Sequence, residues 1–161
     1  MSGFDEVERY RAESKNFIDM TLLGICITFF ALVATINPTL LQENVFFTLQ
    51  LVLAIPFFIC GLLARIKKTA YASSSRWEKL NFISFTLAYG FVINAIGLLL
   101  AVLVPIYVSM VFFGVNTMLT LVRESIAISY VPAELKKRLF RSLIHVGLIV
   151  FLGVLPALKI Y

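Results

Sequence analysis

The residues of this chain with the means to do chemistry in an apolar setting are two amides, a carboxylate and an imidazole. Asn94 stands 11 residues before Pro105 and Asn116 stands 11 residues after it. If the chain reverses at Pro105, each amide lies about 16 Å from the turn, measured along a helix. Amides at matched depth can bond one another and hold a helical hairpin closed. They can also form, with Thr28, a polar centre for an ion or small substrate. Pro56 falls at a similar depth; it removes a backbone donor, which predicts a kink and a freed carbonyl. Asp19 is the one acid expected inside an apolar span. It can serve as the entrance to such a centre, or pair with a cation such as Lys15 or Lys67. His145 is alone of its type, so no metal site is expected.

Absent motifs narrow the chemistry further. The sequence has no Walker A or dinucleotide-binding glycine pattern, no HExxH, no CxxC and no GxSxG elbow. No cofactor is expected. One Asp and one His do not supply the convergent acids, bases or ligands that an intramembrane enzyme needs, so the expected protein is not an enzyme.

The elements that must position these residues follow from one uncharged run. Leu80 to Val122 holds 43 residues without Asp, Glu, Lys, Arg or His. One helix of that length would run roughly 65 Å, against a bilayer core of about 30 Å. The run must fold back, and Val104-Pro105 is its break. Around it the chain reads as spans at about 17–36, 45–64, 80–103, 105–122 and 143–158. Asn37-Pro38 closes the first span, and Val131-Pro132 breaks the chain before the last. Residues 1–16 read as a cytoplasmic interfacial segment capped at Ser2, and residues 17–161 as a transmembrane helical bundle.

Composition agrees. Of 161 residues, 60% are hydrophobic and 14% charged, against about 45–50% and about 25% in soluble domains. The net charge of +5 comes from clusters between the spans. Lys and Arg number three in residues 1–16, five in 65–79, five in 123–142 and one at 159; residues 37–44 and the Pro105 turn have none. This alternation predicts a cytoplasmic N-terminus and a bilayer with anionic headgroups as the partner of the cations, not nucleic acid. Cys26 and Cys60 fall inside spans at different depths and are expected to act as small apolar residues.

Lipid gives helices no hydrophobic reason to associate, so stripes of small and polar residues mark where they could meet. One stripe is Thr21, Gly24, Thr28, Ala31 and Thr35. Another is Thr86, Gly90, Asn94, Gly97 and Ala101. A third is Ser109, Asn116, Thr120 and Arg123. Each is one face of a helix, either a packing seam or the wall of a pathway.

Phe17-Ile18-Asp19, followed by Ile25 and Thr28, resembles the Phe-Ser-Asp opening of the first helix in a family of prokaryotic and lysosomal potassium channels. Ile18 stands at the serine position, and five spans are counted where that family has six. That family's function is not carried over on about a dozen residues.

The sequence therefore predicts an all-α integral membrane protein, a bundle of about five transmembrane helices. Its expected role is that of a non-enzymatic accessory or interaction component, in a homo-oligomer or with a membrane-protein partner. The alternative is a small transporter or channel subunit built on the Asn94, Asn116 and Thr28 centre. The expected location is a membrane crossed several times, the plasma membrane if the source is prokaryotic.

Overall fold

The helix breaks at Val104-Pro105, and the helices on either side of the break pack against each other. A computed structural model describes residues 3–70, 75–130 and 135–160. Its elements are α1 (Gly3–Ile36), α2 (Pro38–Glu43), α3 (Val45–Ala70), α4 (Ser75–Leu103), α5 (Ile106–Tyr130), α6 (Leu135–Ile149), a π-helical turn (Val150–Val154) and α7 (Leu155–Ile160). There is no strand among the described residues. Five helical stretches are long and apolar enough to cross a membrane: Asn16–Ile36, Val45–Lys67, Arg76–Leu103, Ile106–Tyr130 and Arg138–Lys159. The Ser2 cap and the Val131-Pro132 break lie outside the described residues.

Several boundaries differ from those read in the sequence, each for a local reason. The N-terminal segment is continuous with the first span, because neither Pro nor Gly interrupts residues 4–23. The segment after Ile36 is a short helix, not a loop. Pro38 sits at its first position, and the Asn37 Oδ1 accepts from the Leu40 N–H at 3.4 Å. Thr48 Oγ1 then donates to the Leu41 carbonyl at 2.6 Å and ties α2 to α3. α3 runs through Pro56 without ending, with that residue on its exposed side. α5 runs past Val122 to Tyr130, so Arg123 and Glu124 are helical.

α4 is the centre of the bundle. Over half of its apolar window (56%) is buried, against 11% for the window of α1. Its most extensive neighbour is α3 rather than its hairpin partner α5. Small residues explain the preference. Gly61 of α3 lies against Ser84 Cβ and the Phe85 backbone, where an added Cβ would stand 3.7 Å from each. Ala54 and Ala64 of α3 and Ala88 and Ala95 of α4 are all buried. Backbones can therefore approach closely, and dispersion does the work that water would do elsewhere. Phe47, Phe58 and Phe113 fill the remaining space.

α6, the π turn and α7 continue as one rod across α4. Where Gly90 faces this rod, an added Cβ would meet Leu148 Cδ1 at 3.0 Å. The ring of Phe113 lies against Gly97, where any side chain would overlap it. The predicted α4 stripe of Thr86, Gly90, Asn94, Gly97 and Ala101 is buried at every position, so it is a packing seam. The α1 stripe behaves oppositely. Thr21, Gly24, Thr28, Ala31 and Thr35 all face outward, and nothing lies within 4 Å of a Cβ placed on Gly24.

Candidate functional site

Two amides reach the π-helical turn from neighbouring helices. Asn94, fully buried on α4, donates through Nδ2 to the Leu148 carbonyl at 3.0 Å. Gln50, buried on α3, donates through Nε2 to the Leu152 carbonyl at 2.6 Å. Pro156 explains the second bond. It lies four residues after Leu152 and has no N–H to offer that carbonyl. The chain widens into a π turn, with the Leu155 N–H bonded to the Val150 carbonyl five residues back. Gln50 supplies the donor that Pro156 withholds, as membrane helices with internal prolines require. The other atom of the Asn94 amide, Oδ1, has no hydrogen-bond donor among the described residues. A Cβ on Gly153 would fall 2.6 Å from it, so the glycine Cα–H points at this oxygen. Gly153 is thus the close approach that seats the amide.

The hairpin of α4 and α5 is clasped nearer its turn. Ser109 Oγ donates to the Gly97 carbonyl at 2.7 Å, with both groups buried. Asn116 spends its Nδ2 on its own helix, at 2.9 Å from the Phe112 carbonyl.

At the opposite end from the Pro105 turn, Asp19 of α1 pairs with Arg65 of α3 at 2.5 Å. Their side chains are 5% and 13% exposed, so the pair is largely out of water. It fastens the first turns of the α1 span to the end of the α3 span. A pair removed from solvent gains strength from the low dielectric, and removing one partner alone strands a charge.

A polar pocket lies at that same end, between α1 on one side and α5 on the other, with α4 and α6 as its floor. Its cavity volume is about 180 Å³. Arg123 and Glu124 of α5 meet Arg141, Ser142 and His145 of α6 there. Glu124 is 4% exposed and accepts from Arg123 Nη2 at 2.7 Å; Arg138 Nη1 lies 3.6 Å from its other oxygen. The Arg141 guanidinium sits over the Phe82 ring, 5.3 Å from its centroid. The His145 ring stacks on Tyr89, with centroids 5.6 Å apart and planes 25° apart. Ile18 and Leu22 of α1 and Phe85 of α4 make the apolar wall.

Among the described residues Asn94 and Asn116 do not bond one another, and Thr28 bonds neither. Asn94 turns to α6, and Phe113, not Asn116, is the α5 side chain beside the Gly153 approach. Thr28 is on the exposed face of α1. Register is the physical reason: Asn116 is three residues past Phe113, about 60° around the helix from the side that α4 receives. Asp19 is buried against Arg65 and so stands as a fastening between helices where an entrance was expected. Pro105 is the turn itself: the Val108 N–H bonds its carbonyl at 2.9 Å.

Sequence reasoning missed Gln50 and Glu124. The signal for Gln50 was Pro156, which announces a carbonyl in need of a donor. For Glu124 it was the spacing Ser109, Phe113, Thr120, Glu124, which carries the buried side of α5 past Val122. Among the described residues no group of three or more His, Cys, Asp or Glu is placed to hold a metal ion, and both cysteines are free thiols.

Compared with known proteins, the chain matches no family model, no curated protein and no solved structure.

Proposed function

We propose that this chain is a multi-pass integral membrane protein with a non-enzymatic accessory or interaction role, its N-terminus on the cytoplasmic side. The observation that carries the role is the state of the central amides. Asn94 is fully buried and bonded to a helix carbonyl, and Gly153 and Phe113 close around it. A pathway residue would face water; the buried Asn94 amide donating to a helix carbonyl supports a packing role instead.

Membrane insertion is supported by the outer surface. Phe17, Ile36, Met118 and Leu143 are each 67% exposed or more, and similar side chains cover α1, α3, α5 and α6. Water would not tolerate a hydrophobic surface this continuous. Orientation is supported by the cations. Arg65, Arg76, Arg123, Arg138 and Arg141 end or begin spans at the end opposite Pro105, as the cytoplasmic side requires. An interaction role is supported by α1, the least buried of the apolar helices, with its small-residue stripe turned outward.

The transporter or channel alternative needs a wet centre, so one experiment weighs both readings. A photo-crosslinking residue at Thr28, with a second at buried Ala54 as control, is activated in native membranes. In parallel the purified protein is tested for ion flux in liposomes. The proposal expects a discrete protein adduct at Thr28 and no flux above empty vesicles. Lipid adducts alone at Thr28, together with a flux that Asn94→Leu abolishes, would overturn it.

A further inference from the structure

We propose that the pocket between α1 and α5 is a binding site for a phosphate-type oxyanion, the class to which anionic phospholipid headgroups and free phosphate both belong. The proposal rests on the membrane reading only in allowing a lipid as one source.

Donors without acceptors converge there. His145 is 6% exposed, lines the cavity, and has a ring stack but no hydrogen bond on either nitrogen among the described residues. Ser142 is 7% exposed, and its hydroxyl has no hydrogen-bond partner among the described residues. The Arg141 guanidinium has the Phe82 ring but no hydrogen-bond acceptor among the described residues. Thr120 also lines the pocket. The one carboxylate among the described lining residues, Glu124, accepts a hydrogen bond from Arg123 at Oε1 and has Arg138 at ion-pair distance, 3.6 Å, from Oε2, so three guanidinium groups (Arg123, Arg138 and Arg141) stand around a single negative charge. The site therefore holds an excess of positive charge together with donors that have no acceptor among the described residues, in a partly enclosed pocket.

The geometry favours a tetrahedral oxyanion over a carboxylate. A planar carboxylate is satisfied by one guanidinium fork. Here a guanidinium, an imidazole and a hydroxyl approach at once, and several oxygens pointing in different directions can use them all. The cavity of about 180 Å³ exceeds many times the 10–15 Å³ or so that one water needs, so a headgroup fits. Opposite the donors, Ile18, Leu22 and Phe85 offer an apolar wall to the carbon chain of an amphiphile. Basic pockets between helices at the cytoplasmic level are where anionic headgroups bind.

The test uses the full chain in nanodiscs. One set is made of phosphatidylcholine alone, and one includes phosphatidylglycerol. Native mass spectrometry counts retained phosphatidylglycerol, and melting is followed in the phosphatidylcholine discs with added inorganic phosphate. The variants are Arg141→Gln, His145→Gln and, as control, Arg76→Gln, which is exposed and outside the pocket. Retained phosphatidylglycerol lost about tenfold in Arg141→Gln and reduced in His145→Gln, with Arg76→Gln unchanged, is the expected result for a lipid source; a charged hydrogen bond is worth about that factor. A rise in melting with phosphate that Arg141→Gln removes makes free phosphate the source. If Arg141→Gln does not fold, His145→Gln decides in the same way. The proposal is overturned if neither probe responds, or if Arg76→Gln loses as much lipid as the pocket variants.

Discussion

At the scale of the residue, Gln50 shows how a long apolar helix accommodates a proline that its backbone cannot. The Leu152 carbonyl loses its donor at Pro156, and the 2.6 Å bond from Gln50 Nε2 replaces it from another helix. Gln50→Leu leaves that carbonyl buried and unsatisfied. The expected cost is about 1–2 kcal/mol, the upper range for interhelical hydrogen bonds in membranes. Pro156→Ala restores a backbone donor, so the double substitution Gln50→Leu/Pro156→Ala should be less destabilised than Gln50→Leu alone. A double-mutant cycle on unfolding in mixed detergent reads the coupling, and strictly additive losses would refute it. Asn94 was visible in the sequence as a central polar residue, whereas its partner was not. An amide announces that it needs a bond, but the helix that supplies it depends on how faces are rotated in three dimensions. Asn116 illustrates the point, because its amide is spent at 2.9 Å on the Phe112 carbonyl of its own turn.

At the scale of the element, small residues decide which helices touch. The hairpin about Pro105 could be read from the length of the uncharged run, because no single helix of that length fits a bilayer. That α4 packs more on α3 than on α5 could not, since alanine and glycine occur on many faces and only pairing gives them meaning. The two stripes make the contrast plain. Both have helical spacing, yet Gly97 meets the Phe113 ring while Gly24 meets nothing. Gly97→Ala must displace that ring, and overpacking of this kind costs typically about 1–3 kcal/mol. Gly24→Ala should leave the melting temperature of the isolated protein unchanged. Adding Phe113→Leu to Gly97→Ala should recover part of the loss. Equal effects of the two glycine substitutions would show that the bundle is packed otherwise.

At the scale of the whole molecule, the chain sorts its chemistry by end. The Pro105 end is short-turned and sparsely charged, with Glu43 of α2 and Lys159 of α7. The opposite end collects the Asp19–Arg65 pair, the Glu124 cluster and the donor pocket. Charge alternation along the sequence foretold that gathering, because spans that reverse direction bring the basic flanks in 65–79 and 123–142 to one side. It did not foretell that Glu124 and Arg141 would face inward, since that follows from α5 and α6 continuing as helix beyond their apolar runs. The central claim is that the bundle is closed at its middle and wet only at its ends. Cysteine accessibility in sealed vesicles tests it most directly, in a background of Cys26→Ala and Cys60→Ala. Asn94→Cys should resist a small water-soluble thiol reagent from both sides, while Arg76→Cys reacts from one side only. Rapid labelling of Asn94→Cys would put water at the centre of the bundle and contradict the account.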